Sequence, residues 1–487
     1  MQRRGSNEYK LSTPWPIVKS HNVVLSDLHY RQAVDIANHF KAENSDFDFM
    51  PNKEPVSTGW KTGPTLYFED HRGVDLVSEQ SARLFEYRML GLAGEGDTYL
   101  ISRQSDTLFE DYIHSAVGTG PVNIIELDKR ETIESSSLSA ACLESSAALK
   151  HIAESTRKAG GLNIAPYQVT KDVWDLAHKI VDISGCPIRV AGPTPALSER
   201  ANDKTWFHDL AEILLGADAV PVSFTTYCLE LTATIISRLA KEHNKLVIKI
   251  PSSAGGLGNI VLLSNDVHHL DGIDLRKFLS EKLSMKGWST GKPLLVGVWD
   301  DHVIGSPSVQ IWIPDIGQEG PIIEGVFEQL IKGQSGAFVG ATRSAREADL
   351  QSRLAYDAIR IALVFQHLGY FGRLSLDTVL MELPGGEMKV HWIEANARWG
   401  GVSIPMTIGN KIMDDGKPVS VLVLQKLREP GHEHTIGDKL LEIGVAELSL
   451  QRDLKKGFVR LLPPSDKLQL LAAFGLEKAE LNLLNAN

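Results

Sequence analysis

At about 150 residues per domain, a chain of 487 residues has room for three domains, and 43% hydrophobic with 23% charged residues gives each an ordinary core. A net charge of −11 argues against nucleic acid as a general partner, because a phosphate backbone is held by clustered Lys and Arg; a small anion in a local basic cleft stays compatible with it. Three scattered cysteines, Cys142, Cys186 and Cys228, argue against a disulfide framework or a cysteine zinc site.

The opening M-Q-R-R-G-S-N-E-Y-K runs into polar residues without an apolar core, and no stretch of about 18 apolar residues follows anywhere, so a cytoplasmic protein without membrane contact is expected. Residues 1–96 are the least legible. Asn44 to Pro64 reads as loop, punctuated by Pro51, Pro55, Gly59 and Gly63, and Ser81 to Leu92 has helical spacing at Phe85, Met89 and Leu92. From Asp97 a regular alternation begins: strand Tyr99–Ile101, helix Thr107–Ala116, strand Val122–Ile125, helix Glu144–Lys158, extended Asn163–Val169, helix Lys171–Ile183, strand Ile188–Val190. Such alternation predicts an open sheet covered by helices, a small α/β domain over 97–200.

In S-E-R-A-N-D-K-T-W-F-H-D-L-A-E-I-L-L-G, Asn202 or Asp203 can cap a helix that Gly216 closes. Helix Leu229–His243 leads into strand Leu246–Ile250, then the glycine-rich P-S-S-A-G-G-L-G-N and a returning strand Ile260–Leu263. Leu294–Trp299 and Ser308–Ile313 are further strands, Gly317–Thr342 has no clear assignment, and Ala345–Leu368 is a long amphipathic helix. Arg373–Met381 pairs through Pro384-Gly385-Gly386 with H-W-I-E-A-N-A-R-W-G-G, residues 391–401. The tail from about Asn410 reads as two helical pieces, Val419–Leu427 and Lys467–Phe474, around a strand at Phe458–Leu462, a cap or packing module.

Residues 391–401 carry the strongest chemical signal. With a strand's period of two, Trp392, Glu394, Asn396 and Arg398 point one way and Ile393, Ala395 and Ala397 the other. A carboxylate, an amide and a guanidinium in a row, roughly 7 Å apart, are costly to bury unless something binds them. Glu and Asn oxygens suit Mg²⁺, and Arg suits the phosphate oxygens such an ion bridges. Period two also sets Arg373, Ser375, Asp377 and Val379 on one face, which brings Asp377 beside Glu394 and Asn396. The loop Ser252, Ser253, Ala254, Gly255, Gly256, Leu257 and Gly258 has residues small enough for backbone N–H groups to cradle phosphate, although an ordinary glycine hairpin has the same composition. It is neither a Walker loop nor a dinucleotide fingerprint. Lys249 precedes it in an apolar strand, where a lysine either guards an edge or holds phosphate. Lys204 sits in the first turn of its helix, where a cation is mildly unfavourable.

Taken in order, Lys204 in N-D-K, Lys249 with S-S-A-G-G-L-G, Asp377 in G-Y-F-G-R-L-S-L-D and I-E-A-N-A-R-W-G-G resemble the ATP-grasp superfamily over about 201–410. The preceding segment ending I-R-V-A-G-P resembles its pre-ATP-grasp domain, and S-P-S-V-Q with G-F-V-R-L-L-P is similar to the peptide-ligase branch of the pheganomycin ligase. The resemblance implies an α/β and α+β multidomain chain: 1–96 of unassigned role, a pre-ATP-grasp domain at 97–200, a two-subdomain ATP-grasp fold at 201–410 and a C-terminal module at 411–487. It implies ATP clasped with Lys204 and Lys249 on its phosphates, the loop of Ser252, Ser253, Ala254, Gly255, Gly256 and Gly258 closing over them, and Mg²⁺ or Mn²⁺ on Asp377, Glu394 and Asn396. Asp300 would meet the ribose, and main-chain groups of Val298 and Trp299 the adenine. The D-alanine ligase branch has Arg where this chain has Ser375, so the charge stabiliser would be Arg398, with Arg373 and Arg343 as further candidates.

The implied reaction is ADP-forming carboxylate–amine ligation through an acyl phosphate, on small amino-acid or peptide substrates, without a Ser-His or Cys-His nucleophile. His208 and His391 read as structural. The alternatives are an ATP-binding regulatory or scaffolding module without turnover, and a ligase using a thiol or ammonia. A homodimer is the default assembly.

Overall fold

The computed structural model describes residues 13–44, 55–72, 74, 77, 79–127, 137–251, 253, 256–333, 336–383, 385–427, 455–465 and 468–475. Its first sheet has six parallel strands: β1 (Val56–Thr58), β2 (Thr65–Phe68), β3 (Thr98–Ile101), β4 (Asn123–Glu126), β5 (Leu162–Pro166) and β6 (Ile188–Val190). Their spatial order is β1-β6-β5-β2-β3-β4. Strands β2, β3 and β5 are buried along their whole length, as expected where helices cover both faces. Helices Thr107–Val117 and Ser146–Ala159 start on side-chain caps, Asp106 accepting from the Phe109 N–H and Ser145 from the Ala148 N–H, and with helix Lys171–Ser184 they stop at left-handed Gly118, Gly160 and Gly185. Two of the six strands come from residues 56–68: β1 lies inside Asn44–Pro64, which reads as loop in the sequence, so the sheet takes in strands from before residue 97.

The second sheet is small and antiparallel: β7 (Ser223–Thr226), β8 (Lys245–Lys249), β9 (Asn259–Leu263) and β10 (Leu294–Val298), in the order β7-β10-β8-β9. The third sheet has nine antiparallel strands. These are β11 (Val303–Gly305), β12 (Pro307–Ile313), β13 (Ile322–Lys332), β14 (Ala337–Arg343), β15 (Gly372–Glu382), β16 (Met388–Asn396), β17 (Val421–Leu427), β18 (Gly457–Arg460) and β19 (Leu468–Phe474). They run β11-β15-β12-β13-β14-β17-β19-β18, with β16 on the free side of β15.

Two sequence readings change here. Val419–Leu427 and Lys467–Phe474 read as helical in the sequence, but Val421–Leu427 forms β17 and Leu468–Phe474 forms β19. Both runs are short and apolar, where periodicity separates helix from strand poorly. The tail therefore extends the third sheet through β14 and β17, paired Gly340↔Leu424 to Thr342↔Leu422. The glycine-rich 317–342 segment supplies β13 and β14, and Gly340 is one reason for its composition: a Cβ there would collide with the Val423 carbonyl oxygen.

Helix Ala348–His367 packs on one face of the third sheet with helix Asp27–Glu43 and helix Lys204–Leu215, sharing a core that includes Phe40, Phe207, Phe365, Leu376 and Ala395. A separate core joins the first and third sheets, with Tyr67, Tyr99 and Tyr167 meeting Trp312, Trp399 and Phe474. No described helix is long and apolar enough to cross a membrane.

Candidate active site

Strands β15 and β16 bring the predicted carboxylates together. Asp377 lies directly opposite Glu394, and Ser375 opposite Asn396. Strict alternation fails just before them: the register slips so that Thr378 faces Trp392, and Ile393 is the extra residue of a β-bulge. The bulge turns Trp392, predicted to share the polar face, into the core with Ala395 and Ala397. It puts His391 on the polar side instead, where its Nδ1 lies 2.9 Å from Oδ2 of Asp300.

Three side chains on this face, joined by Asn202 from a neighbouring helix end, form one hydrogen-bonded row. Asn396 Nδ2 donates to Asp377 Oδ2 at 3.0 Å, and Arg398 donates to Asn396 Oδ1 at 2.6 Å and to Asn202 Oδ1. Lys204 comes in from the first turn of its helix, which is capped by Asp203 and closed by Gly216. Its ammonium meets Glu394 Oε2 at 2.9 Å and donates to the carbonyl oxygens of Pro251 and Ser253. One buried lysine thus joins the strand carboxylate to the glycine-rich loop. Of that loop, Ser253, Gly256 and Gly258 are described, whereas the predicted Ser252, Ala254 and Gly255 lie outside the described residues. Lys249, at the end of β8, is buried to 8% exposure rather than lying on a solvent-facing edge.

The electrostatics follow from this burial. Desolvation, with the Glu394 charge behind it, pushes the Asp377 carboxyl up to about 6 against hydrogen bonds from Ser308 and Gln329. Burial would also raise Glu394, but the Lys204 ammonium, then Arg398 and Lys249, hold it below the usual carboxylate range. Burial lowers the Lys249 ammonium, assisted by Lys204 and opposed by Glu394 and Asp300. Two carboxylates facing each other at this depth repel, which a hard divalent cation would relieve, and their oxygens suit Mg²⁺. The Asn396 oxygen is turned to Arg398, so it would join such a set only after rotation of its amide. Among the described residues no three His, Cys, Asp or Glu side chains gather into a group that could hold a metal ion; Asp377 and Glu394 come as a pair.

Arg373 shares the face but is built into the core, ion-paired with Glu324, bonded to Thr407 and stacked between Trp312 and Trp399 at 5.3 and 5.0 Å. Arg343 donates to the Val419 carbonyl and lies over Phe327. Both expected stabilisers therefore have structural partners, whereas Arg398 is held by neutral amides. The N–H groups of Val298 and Trp299 bond the carbonyls of Val222 and Lys245, so they are spent on strand pairing. Asn202, Ser308 and Gln329 are not among the site residues read from the sequence; Asn202 is the first residue of N-D-K but reads there as a helix cap.

The comparisons agree with this architecture. Residues 86–180 match the family model of the pre-ATP-grasp domain. No curated protein matches the chain. Among solved structures, a biotin carboxylase–βγ-ATP complex from Campylobacter jejuni aligns with 13% identity over 85% of this chain and 87% of its own, at a TM-score of 0.50. An N5-carboxyaminoimidazole synthetase from Staphylococcus aureus complexed with ADP aligns with 10% identity over 89% and 99%, also at 0.50. An N5-carboxyaminoimidazole ribonucleotide synthetase from Thermus thermophilus gives 13%, 87%, 96% and 0.50. The fold is thus a pre-ATP-grasp domain followed by an ATP-grasp-like pair of antiparallel sheets.

Proposed function

We propose that this chain, with a pre-ATP-grasp domain and an ATP-grasp-like fold, is an ATP-dependent, ADP-forming ligase that activates a carboxylate as an acyl phosphate and joins it to an amine. The observation that carries the reading is the convergence of Lys204, Glu394, Asp377 and Arg398 at one site. Cations from one side and carboxylates from the other are what a triphosphate with its divalent ion requires. The structural neighbours named above include ATP- and ADP-bound enzymes, which supports the nucleotide.

In this reading Lys204 and Lys249 bind phosphate oxygens, and Ser253, Gly256 and Gly258 lie over them. Asp377 and Glu394, with Asn396 after its amide turns, would hold Mg²⁺, which when bound offsets charge on the transferring phosphoryl group. Asp300, oriented by His391, would receive the ribose hydroxyls. The substrate carboxylate attacks the terminal phosphorus, ADP leaves, and the amine then displaces phosphate through a tetrahedral intermediate. Arg398 stabilises the oxyanion, because its charge is not cancelled by a bonded carboxylate. The substrates we favour are an amino acid and a second amino acid or short peptide.

The test is ADP release from the purified protein with Mg·ATP and pooled amino acids and peptides, with products identified by mass spectrometry. Amine-dependent ADP formation and a product heavier by the amine less water are expected, and Glu394→Gln should abolish both. Saturable ATP binding without turnover on any acceptor would replace this reading with that of a nucleotide-binding module.

A further inference from the structure

Asn202 occupies the junction between helix Pro195–Ala201 and the helix that opens at Lys204. Its side chain uses both ends of its amide on the segment that follows β16. Nδ2 donates to the Ala397 carbonyl at 3.4 Å while Oδ1 accepts the Ala397 N–H at 3.0 Å, so the side chain imitates a paired strand residue. Nδ2 also donates to the Ser198 carbonyl at 2.8 Å, and Oδ1 also accepts from Arg398. These partners fix which end of the amide is oxygen.

We propose that Asn202 is a positioning residue for Arg398: it locks the guanidinium in place through a neutral acceptor, leaving its positive charge for the anion formed in the reaction. This rests on the ligase reading. Arg398 is gripped on one side by Asn202 and on the other by Asn396, both amides, and no carboxylate forms an ion pair with it among the described residues. An acid at either position would hold the guanidinium as well but would neutralise it. The Ala397 clasp ties Arg398 to the element that carries Lys204, so the two cations are set relative to each other by one side chain.

Asn202→Ala loses the Nδ2 donor to the Ser198 and Ala397 carbonyls; Asn202→Asp loses that donor too and adds a negative charge against Arg398, so the difference between the two variants separates charge from holding, with Asn202→Asp the more severe. In the full-length protein Asn202→Asp should keep the wild-type circular dichroism spectrum, lower kcat for ADP formation about a hundredfold and leave the KM for ATP within about threefold. Asn202→Ala should cost about tenfold in the wild type and less than about twofold in an Arg398→Ala background, as expected for a residue that acts through Arg398. Equal losses in both backgrounds, or an Asn202→Asp enzyme with wild-type kcat, overturn the assignment. A second readout is independent of turnover: Mg·ADP binding with and without aluminium fluoride, an anionic mimic of the transferred group. Wild type should gain affinity from the fluoride complex and Asn202→Asp should lose most of that gain. If wild type forms no ADP on any substrate, the ligase reading fails alone; an equal gain in both proteins then removes the role of Asn202.

Discussion

Lys204 and Glu394 meet at 2.9 Å, and the same ammonium also donates to the carbonyl oxygens of Pro251 and Ser253. An ammonium has three hydrogens, so all of them are taken before any phosphate arrives. In the proposed ligase reading, nucleotide binding would exchange at least one of these bonds for a phosphate oxygen.

Replacing Lys204 by Met should weaken Mg·ATP binding about tenfold to a hundredfold, the range of a charge-assisted hydrogen bond, as measured by titration calorimetry. It should also raise the Glu394 carboxyl, whose strongest opposing influence is this ammonium. Unchanged affinity would remove Lys204 from the phosphate site.

Arg373 and Glu324 form a buried pair inside the core that joins the first and third sheets. Arg373→Met leaves Glu324 charged and unpaired, and should destabilise the protein by about 3–5 kcal/mol in urea unfolding. Adding Glu324→Gln should recover more than half of that loss. If both variants keep wild-type stability while ADP formation disappears, Arg373 acts on substrate instead.

Asp315 lies beside Gly59 at the edge of the first sheet, and burial pushes its carboxyl up to about 6 against the opposing charge of Arg189. The folded value lies above the unfolded one, so its contribution to stability is complete below about pH 4 and is lost as pH rises through 6. Asp315→Asn should raise stability at pH 7.5 by roughly 1–3 kcal/mol and change it little at pH 4. Thermal melts at the two pH values check this, and an equal effect at both would contradict it.

Ending the chain after Asp415 removes β17, β18 and β19 and leaves the seven-residue β14 as an open edge beside an apolar face that Phe474 and Leu470 had covered. Such an edge invites association, so the truncated protein should partition into the insoluble fraction on expression. A soluble, monomeric truncation with intact nucleotide binding would make the tail a separable module.

The parts most legible in the sequence are those whose chemistry is local. Asp203 and Gly216 bound the Lys204 helix as their types predict, and two strands of period two are enough to bring Asp377 to Glu394. Trp392 departs from its expected face because a bulge shifts a strand's phase by one residue and no residue type announces it. The tail strands depart from theirs because short apolar runs owe their conformation to the sheet that receives them. Arg373 reads as a site residue because its pairing with Glu324, far away in sequence, exists only in the folded chain. Asn202 escapes notice for the same reason, since three of its four bonds reach Ala397 and Arg398.

The small antiparallel sheet has a core of its own, drawn from Ala233 to Val296, and this shares no residue with the cluster that seats the Lys204 helix. Lys249 therefore belongs to a body whose apolar interior is separate from that of the one bearing Lys204 and Glu394. The links that cross the gap include the Lys204 bonds to Pro251 and Ser253 and the His391–Asp300 contact. A latch of that kind rests on hydrogen bonds among buried groups rather than on apolar area, so losing the Lys204 ammonium should loosen the hold between the two bodies well before it melts the protein.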